Sequence, residues 1–357
     1  MKELVEQIEA KAKSTKKLST WFSTSNIYYA NKLNISQTSS ELTANYKTGI
    51  VNGKTLLDVT GGFGVDSYAF SKKVKQIYHL EENNELSTIA SHNFKQLEAL
   101  NIEVICGNGL SFLSDSNINF DWIYLDPSRR TEKQEKVYFL SDCIPDVTKH
   151  LDLLFSKSSN LLIKAGPLLD LDAGIGQLKN IFEVHIVGVE NEVKELLWVL
   201  KKGYSGPIQV RTVNLIKNLK QEFVFYNHEE KHAVSEYSLP ENYLYEPNAP
   251  ILKSGAYRLL GERYGLKKLN QHSHLYTSTR LIEFPGRRFK IDEVIPFSKK
   301  RLKSFEFDKA NITVRNFPIT VSEIRKKTQL KDGGEIYLFF TKNSSSQLIV
   351  IKCTKIH

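Results

Sequence analysis

The sequence predicts an α/β chain: a parallel, doubly wound sheet preceded by a helical segment and followed by a basic α+β region. Three observations carry that expectation. Short apolar runs alternate with amphipathic helical stretches from Thr55 to about residue 190, a glycine-rich turn follows the first run, and the alternation stops after "GYSGP" at 203–207. At 357 residues the chain is long enough for two or three domains, and 41% hydrophobic with 25% charged residues is the balance of a folded protein rather than a disordered one.

Taken in order, residues 1–50 read as helical. Leu4, Ile8 and Ala12 recur at helical spacing, and "TSSE", Thr38 to Glu41, has the spacing of a capping box ahead of "LTANYKTGI". The strand "LLDVT" (56–60) leads into a helical "VDSYAFSKK". The strand "KQIYHLE" (75–81) leads into "NELSTIASHNFKQLEAL", where Leu86, Ile89, Ala90, Phe94 and Leu97 share one face. Further strands are expected at "IEVICG" (102–107), "FDWIYLD" (120–126), "NLLIKAG" (160–166) and "FEVHIVGV" (182–189), with a helix around "VTKHLDLLF". Units of this length wind into a parallel sheet with helices on both faces, and such a sheet takes its ligand at the carboxyl ends of its strands.

"NEVKELLWVLKK" fits either a helix or a returning edge strand. Beyond it, "IQVRTVNLI" and "EFVFYNH" read as an antiparallel pair and 229–250 as a polar, proline-containing connection. "RKKTQLKDGGEIYLFF" reads as a basic helical segment, a turn and an apolar strand. The expected domains are a helical segment (1–50), the sheet domain (51–205), a connecting antiparallel or α+β region (206–290) and a basic α+β domain (291–357).

The net charge of +9 is unevenly divided. Seven basic against four acidic residues give +3 in 1–50, fourteen against twenty-one give −7 in 51–200, and twenty-eight against fifteen give +13 in 201–357. An acidic middle with basic flanks is the layout expected when one module does chemistry and its neighbours hold a polyanion; solubility alone is the other reading. No apolar run reaches the roughly 18 to 20 residues of a membrane span. The start "MKELVEQIEAKAK" lacks the apolar stretch of a secretory signal, so a cytoplasmic protein is expected. Cys106, Cys143 and Cys353 stand far apart, which argues for reduced thiols. His272 and His274 have no cysteine beside them, and no metal site is expected.

"LLDVTGGFGVDS" is a buried strand, a glycine turn and a helix start. A phosphate loop of the G-x-x-x-x-G-K-[ST] type fails for want of a lysine. A dinucleotide site wants G-x-G-x-x-G, and after Gly62 and Gly64 the third position is Ser67. S-adenosylmethionine carries no phosphate. It needs glycines that let the backbone approach and an acid at the strand end to face its ammonium group, which Asp58, Gly62 and Gly64 supply. Glu81, ending the second strand, can take two ribose hydroxyls by charge-assisted hydrogen bonds. Asn108, after the third, stands where a polar side chain could meet an adenine amino group. A tight turn without ligand explains the glycines but not the two acids.

These residues carry a resemblance. Residues 51–200 resemble a class I S-adenosylmethionine-dependent methyltransferase, with "DVTGGFG" matching the first motif, "HLEEN" the second and "LDPSRR" the fourth. The resemblance implies that Asp58, Thr60, Gly61, Gly62, Phe63, Gly64, Asp66, Glu81 and Asn83 surround the cofactor, with Asn108 added by its place after the third strand. More narrowly, the whole chain is similar to bacterial methyltransferases with a THUMP-like domain, through "TSSELTANYK", "DVTGGFGVDS", "DPSRR", "ENEVKELL", "FPGRRF" and "LKDGGEIYLFF". The resemblance implies a Rossmann-like catalytic domain, S-adenosylmethionine as cofactor and a C-terminal region related to RNA-binding THUMP domains. THUMP domains usually precede the catalytic domain, whereas the basic region here follows it.

In methyltransferases acting on exocyclic amino groups the fourth strand ends in D/N-P-P and an aromatic residue, whose acid or amide aims the target amine. Asp126 and Pro127 keep that pattern, Ser128 replaces the second proline, and Arg129 stands in the aromatic position. An arginine plane can stack on a base or pair with phosphate. Asp126 is therefore expected to orient the acceptor, with Arg129 and Arg130 on the base or its backbone; pairing of both arginines with Glu132 or Asp142 is the other reading. Cys143 offers a nucleophile for a different methylation chemistry, against a buried, inert thiol. Lys164, at the end of the fifth strand, meets RNA or substrate, or forms an ion pair. Ser40, Glu41 and Thr43 lid the cofactor pocket by resemblance, or cap a helix.

Arg287 and Arg288 in "FPGRRFKI" and the lysines of "PFSKKRLKSFEF" alternate with Phe289, Phe297, Phe305 and Phe307, a mixture suited to phosphates and unpaired bases where the rings are exposed; alternation in "FEFDKANITV" reads equally as a strand's buried face, so about half of the rings are expected in the core. The expected function is methylation of a base in structured RNA, rRNA or tRNA. A small-molecule methyltransferase and a non-catalytic RNA-binding protein are the alternatives.

Overall fold

A computed structural model describes residues 2–129, 139–217, 219–298, 305 and 307–356. The chain divides into two compact units, Met1–Val189 with Lys194–Gln209 and Glu190–Val193 with Val210–His357.

The first unit opens with helices α1 (Lys2–Lys17), α2 (Ser19–Ser23), α3 (Lys32–Gln37) and α4 (Glu41–Thr48). Leu4 and Ile8 are helical but exposed; the buried side of this region is Ala10, Ser14, Leu18 and Trp21. The expected capping box at Thr38 does not form. Ser40 caps α4 by accepting the Thr43 N–H at 3.2 Å. Glu41 instead accepts the Thr20 and Trp21 N–H groups at 2.7 and 3.3 Å, closing the start of α2. Glu41 thus serves a helix end.

The sheet follows: β1 (Thr55–Asp58), α5 (Val65–Ser71), β2 (Gln76–Glu81), α6 (Asn84–Gln96), β3 (Ile102–Cys106), α7 (Gly109–Asp115), β4 (Trp122–Leu125), α8 (Val147–Lys157), β5 (Asn160–Ala165), α9 (Leu171–Gln177), β6 (Ile181–Val189) and β7 (Glu192–Lys201). Within this unit the strand order is β3-β2-β1-β4-β5-β7-β6. β1 lies between β2 and β4, parallel to both, while β7 runs antiparallel to β5. The ambiguous "NEVKELLWVLKK" is therefore a strand, and Leu196 through Leu200 are all buried, as expected when both faces are covered.

Helices α7 and α9 were not anticipated. Each starts at a capping side chain: Asn108 accepts the Ser111 N–H and Asp170 the Ala173 N–H, both at 2.9 Å. Gly174 hides α9 from a periodicity reading, yet a Cβ there would stand 2.4 Å from the Trp198 ring.

The second unit holds β8 (Gln209–Ile216) beside β9 (Leu219–Tyr226), α10 (Glu229–His232), β10 (Tyr243–Pro247), α11 (Ala249–Ser254), α12 (Tyr257–Tyr264), β11 (Lys267–Lys268), β12 (Tyr276–Ser278), β13 (Gly286–Pro296), β14 (Asn311–Val314), α13 (Val321–Thr328), β15 (Ile336–Lys342) and β16 (Leu348–Ile356). Its main sheet has the order β11-β12-β10-β13-β16-β15-β14. The stretch 229–250, expected as a connection, contains β10, whose Leu244, Tyr245 and Glu246 are buried. Phe289 is fully buried, and Phe297, Phe305 and Phe307 pack against an apolar cluster around Ile324, Leu338 and Phe340. These four rings are packing residues, not exposed stacking surfaces. The basic "KKRLK" lies outside the described residues.

Candidate active site

Five of the expected residues stand at the carboxyl edge of the sheet because each ends or follows a strand: Asp58 (β1), Glu81 (β2), Asn108 (β3), Asp126 (β4) and Lys164 (β5). The glycine turn after β1 occupies the middle. Gly62 and Gly64 have φ of +60° and +88°, which favours glycine at both. A Cβ on Gly64 would also come within 2.4 Å of the Phe94 ring, and one on Gly61 within 2.4 Å of the His79 imidazole. Over Gly62 the nearest atom would be 3.8 Å away, so the turn opens on free space there.

The matched residues divide between that open rim and the interior. On the rim, Glu81 accepts the Gly62 N–H and the Asn83 N–H, both at 2.8 Å. Asn83 caps α6 through the Leu86 N–H at 2.9 Å, and Asn108, the cap of α7, also donates to Glu82. Thr60 Oγ1 accepts the Asp126 N–H at 2.7 Å, fastening the β4 end to the turn. Inside, Phe63 packs on Trp21 with ring centroids 4.7 Å apart.

Asp58 also points inward. It is 1% exposed, accepts the Thr60 N–H at 3.1 Å and the Ser67 hydroxyl at 2.6 Å, and lies 3.8 Å from His79 Nδ1. Since the Ser67 hydroxyl donates to Asp58, the Nδ1–H of His79 donates to Ser67 Oγ at 2.9 Å. Burial raises the Asp58 carboxyl to about 7, against the Ser67 and Thr60 hydrogen bonds, and lowers His79 to about 4.

Asp66 belongs to a buried charge network. Ser39 and Tyr124 donate to Asp66 Oδ2 at 2.8 and 2.7 Å. The Lys47 ammonium, with no exposed side-chain surface, lies 3.1 Å from Asp66 Oδ1 and 2.9 Å from both oxygens of Glu195. Ser39 Oγ accepts from Lys47 at 3.1 Å and from Lys164 at 3.2 Å. Lys164 lies 3.8 Å from Asp66 and is clamped on Asp126 Oδ2. Lys164 is 8% exposed and its ammonium faces this interior.

Burial would raise Asp66, but Lys47 and Lys164, with the Tyr124 and Ser39 hydrogen bonds, hold it below the ordinary carboxylate range. Burial would lower Lys164, and Asp126, Asp66 and Glu195 hold it above its ordinary value instead. Asp126 is raised by burial, with Lys164 opposing. Its side chain keeps 34% of its surface exposed, and its Oδ1 has no hydrogen-bond partner among the described residues.

Pro127 is buried behind Asp126, and Ser128–Arg129 pairs as a short strand with Cys143–Ile144. Arg130 and Glu132 lie outside the described residues, and Cys143 is buried. In the second unit, Arg287 stands opposite Glu246 across β10 and β13 and donates to it from Nε at 2.7 Å. Arg315 donates to the other Glu246 oxygen at 2.8 Å, and Arg288 pairs with Glu283.

Sequence reading missed Ser39, Lys47, Tyr124, Glu195 and Arg315. Ser39, Lys47 and Glu195 lie in quoted stretches, "TSSELTANYK" and "ENEVKELL", but at positions to which no task is assigned. It also passed over "HEEKH" at 228–232, two histidines at zinc-helix spacing. There Glu229 is held by Arg263 at 2.7 Å and His228 stacks on Tyr226. Among the described residues no group of three or more His, Cys, Asp or Glu could hold a metal ion, and no helix is long and apolar enough to cross a membrane.

Comparison with known proteins bears on this geometry. A family profile described as a ferredoxin-like domain matches residues 243–285, and one described as THUMP domain-like matches 286–355. No curated protein matches the chain. A candidate methyltransferase from Porphyromonas gingivalis W83 superposes with a TM-score of 0.93 at 32% identity, over 99% of this chain and 90% of that one. A candidate methyltransferase of Escherichia coli, yhhF, aligns at 19% identity over 45% of this chain and 84% of its own, with a TM-score of 0.33. An rRNA methylase from Streptococcus thermophilus aligns at 13% over 45% and 94%, also at 0.33. At that score neither likeness bears on the assignment. The P. gingivalis match spans both units, and the sheet order, the glycine turn and the C-terminal match agree with it: the chain belongs to the family of class I methyltransferases that carry a C-terminal THUMP-like domain.

Proposed function

We propose that this methyltransferase uses S-adenosylmethionine to methylate an amino or ring N–H group on a base of structured RNA, rRNA or tRNA, in the cytoplasm. The observation that carries the reading is Asp126. It follows β4 beside the glycine turn, one oxygen is clamped by Lys164, and the other is left for a hydrogen-bond donor. Domain 51–205 holds the cofactor. Glu81 takes the ribose hydroxyls, the open turn at Thr60, Gly61 and Gly62 meets the methionine part, and Asn83 and Asn108 flank the base. The residues fit such a ligand: the turn carries no lysine for a phosphate, and Glu81 has an acceptor surface beyond its two backbone bonds. Asp58, Phe63, Gly64 and Asp66 shape the turn from within.

When bound, the cofactor supplies a methyl group on a sulfonium, already a good leaving group, so the protein's task is positioning. Asp126 Oδ1 accepts a hydrogen from the acceptor nitrogen and directs its lone pair. Pro127 fixes the backbone behind it, and Arg129 and Arg130 hold the base or its phosphate. Support for RNA comes from the THUMP domain-like match at 286–355 and the +13 charge of residues 201–357, with Arg287 and Arg288 among the contacts.

The test is transfer of labelled methyl from S-adenosylmethionine to total RNA from a strain lacking the gene. Label released by ribonuclease, located by nucleoside mass spectrometry to a methylated base nitrogen, is the expected result. No label in any RNA fraction, with cofactor binding demonstrated, overturns the RNA reading in favour of a small-molecule or protein acceptor.

A further inference from the structure

Four separated stretches of the sequence meet at one place. Ser39 and Lys47 come from "TSSELTANYK", Asp66 from "DVTGGFGVDS", Asp126 from "DPSRR" and Glu195 from "ENEVKELL", with Lys164 from β5. The motif chemistry uses Asp126 alone. The remainder form a continuous chain of contacts: Glu195 to Lys47, Lys47 to Asp66 and Ser39, both of these to Lys164, and Lys164 to Asp126.

We propose that Lys47 is a positioning residue for Asp126: by fixing Asp66 and Ser39 it holds the Lys164 ammonium on one Asp126 oxygen, so that the other oxygen presents negative charge to an N–H of the acceptor. The inference rests on Asp126 being the acid that orients the acceptor.

The geometry supports it in three ways. Ser39 Oγ donates to Asp66 and accepts from both lysines, so the two ammoniums are tied to one hydroxyl. Lys47 has no exposed side-chain surface and cannot itself reach a ligand, whereas Asp126, at 34%, is the member that meets solvent. Two ammoniums face three carboxylates, Asp66, Asp126 and Glu195, which leaves one net negative charge in the cluster, and Asp126 is where it emerges. The groups around Asp126 are Lys164 of β5, Asp66 of α5, Lys47 of α4 and Asp58 of β1, with Tyr124 of β4 and Glu195 of β7 also in this field. A carboxylate or phosphate acceptor would be repelled by this arrangement, while an exocyclic amine or ring N–H satisfies it.

The experiment reads Asp126 without an acceptor. Protein labelled with 13C at the aspartate carboxyl carbons is titrated by NMR, the Asp126 signal being the one lost in Asp126→Asn. In Lys47→Met/Glu195→Gln, which removes both charges of one buried pair and avoids stranding either, the Asp126 midpoint should rise by about one pH unit as Lys47 is lost and Lys164 turns to Asp66. Ser39→Ala, which changes no charge, should raise it by roughly half a unit and serves if the double variant does not fold. Lys149→Met, an exposed lysine paired with Asp146 outside the cluster, should leave it in place. An unmoved Asp126 midpoint in folded Ser39→Ala or the double variant overturns the proposal and leaves the methyl-transfer reading standing. If wild-type protein transfers no methyl group to any acceptor while the shift is present, the orienting role of Asp126 falls instead.

Discussion

Two buried ion clusters, one in each unit, use the same kinds of residue to opposite effect. Around β1, β4 and β5, two lysines are enclosed by three acids, and the group left at the surface is the Asp126 carboxylate. On β10, a single enclosed acid, Glu246, binds two arginines whose side chains remain 36% and 37% exposed. The first cluster hides its cations and shows an anion; the second hides its anion and shows cations. The sign of the exposed partner, more than the number of ion pairs, separates a site that accepts hydrogen bonds from a surface suited to phosphate. The same division is visible in the totals of −7 for residues 51–200 and +13 for 201–357.

The sharpest way to break the comparison is to remove each acid. Asp126→Ala should lower methyl transfer by on the order of 10²-fold. Its thermal midpoint should hardly move, because Lys164 keeps Asp66 and Ser39. Glu246→Ala should do the reverse. Deleting one partner of a buried pair costs roughly 3–5 kcal/mol, and the partial exposure of the arginines reduces this to about 2 kcal/mol in a urea titration. Equal losses of stability in the two variants would erase the distinction.

A third buried pair, Asp58 and His79, should be silent until one member is removed. The folded-state value of Asp58, about 7, lies above its ordinary 3.8; alone, it would make stability fall as pH rises across that interval. The folded-state value of His79, about 4, lies below its ordinary 6.5; alone, it would make stability rise with pH from 4 to 6.5. Between pH 4 and 6.5 the folded pair carries one proton on Asp58 and the unfolded pair one on His79, so the two slopes cancel. Relative to wild type, Asp58→Asn should add a rising slope of about 1.4 kcal/mol per pH unit in that window, and His79→Asn a falling one. Parallel pH curves for all three proteins would refute the assignment.

The mildest test concerns the arginines. Arg315→Met and Arg287→Met should each reduce the slope of log affinity against log salt for bulk RNA by about one. An unchanged slope with a lowered thermal midpoint would make the second cluster a stitch between strands and nothing more.

The sheet was legible because its signal is local. The runs at 56–60 and 75–81 are largely buried strands, that at 102–107 is the half-exposed edge strand paired in register beside them, and the α6 face from Leu86 to Leu97 packs inward as its spacing requires. The rim residues Glu81, Asn83 and Asp126 were legible because strand ends announce themselves. Lys47 and Glu195 were not. A lysine in a helix and an acid in an apolar strand read as solvated positions, and only the long-range contact shows that each exists to bury the other. Glu41 misled for a related reason, since the helix it caps is not the one it begins. The aromatics of 289–307 read equally as an RNA surface or as a strand's buried face, because alternation with lysines conceals which face is covered, and all four pack inward.

The bond between Lys47 and Glu195 spans 148 residues of chain. At a synthesis rate of roughly 5–20 residues per second, about 7 to 30 s separate the appearance of the lysine from that of its carboxylate. During that interval β1, β2 and β4 can emerge and pair and Asp66 and Ser39 can meet the ammonium, but the carboxylate that holds it with both oxygens is still missing. Assembly of the acid therefore trails assembly of the sheet that bears it, and a nascent chain halted before β7 holds the motifs of a methyltransferase without the fixed charge they require.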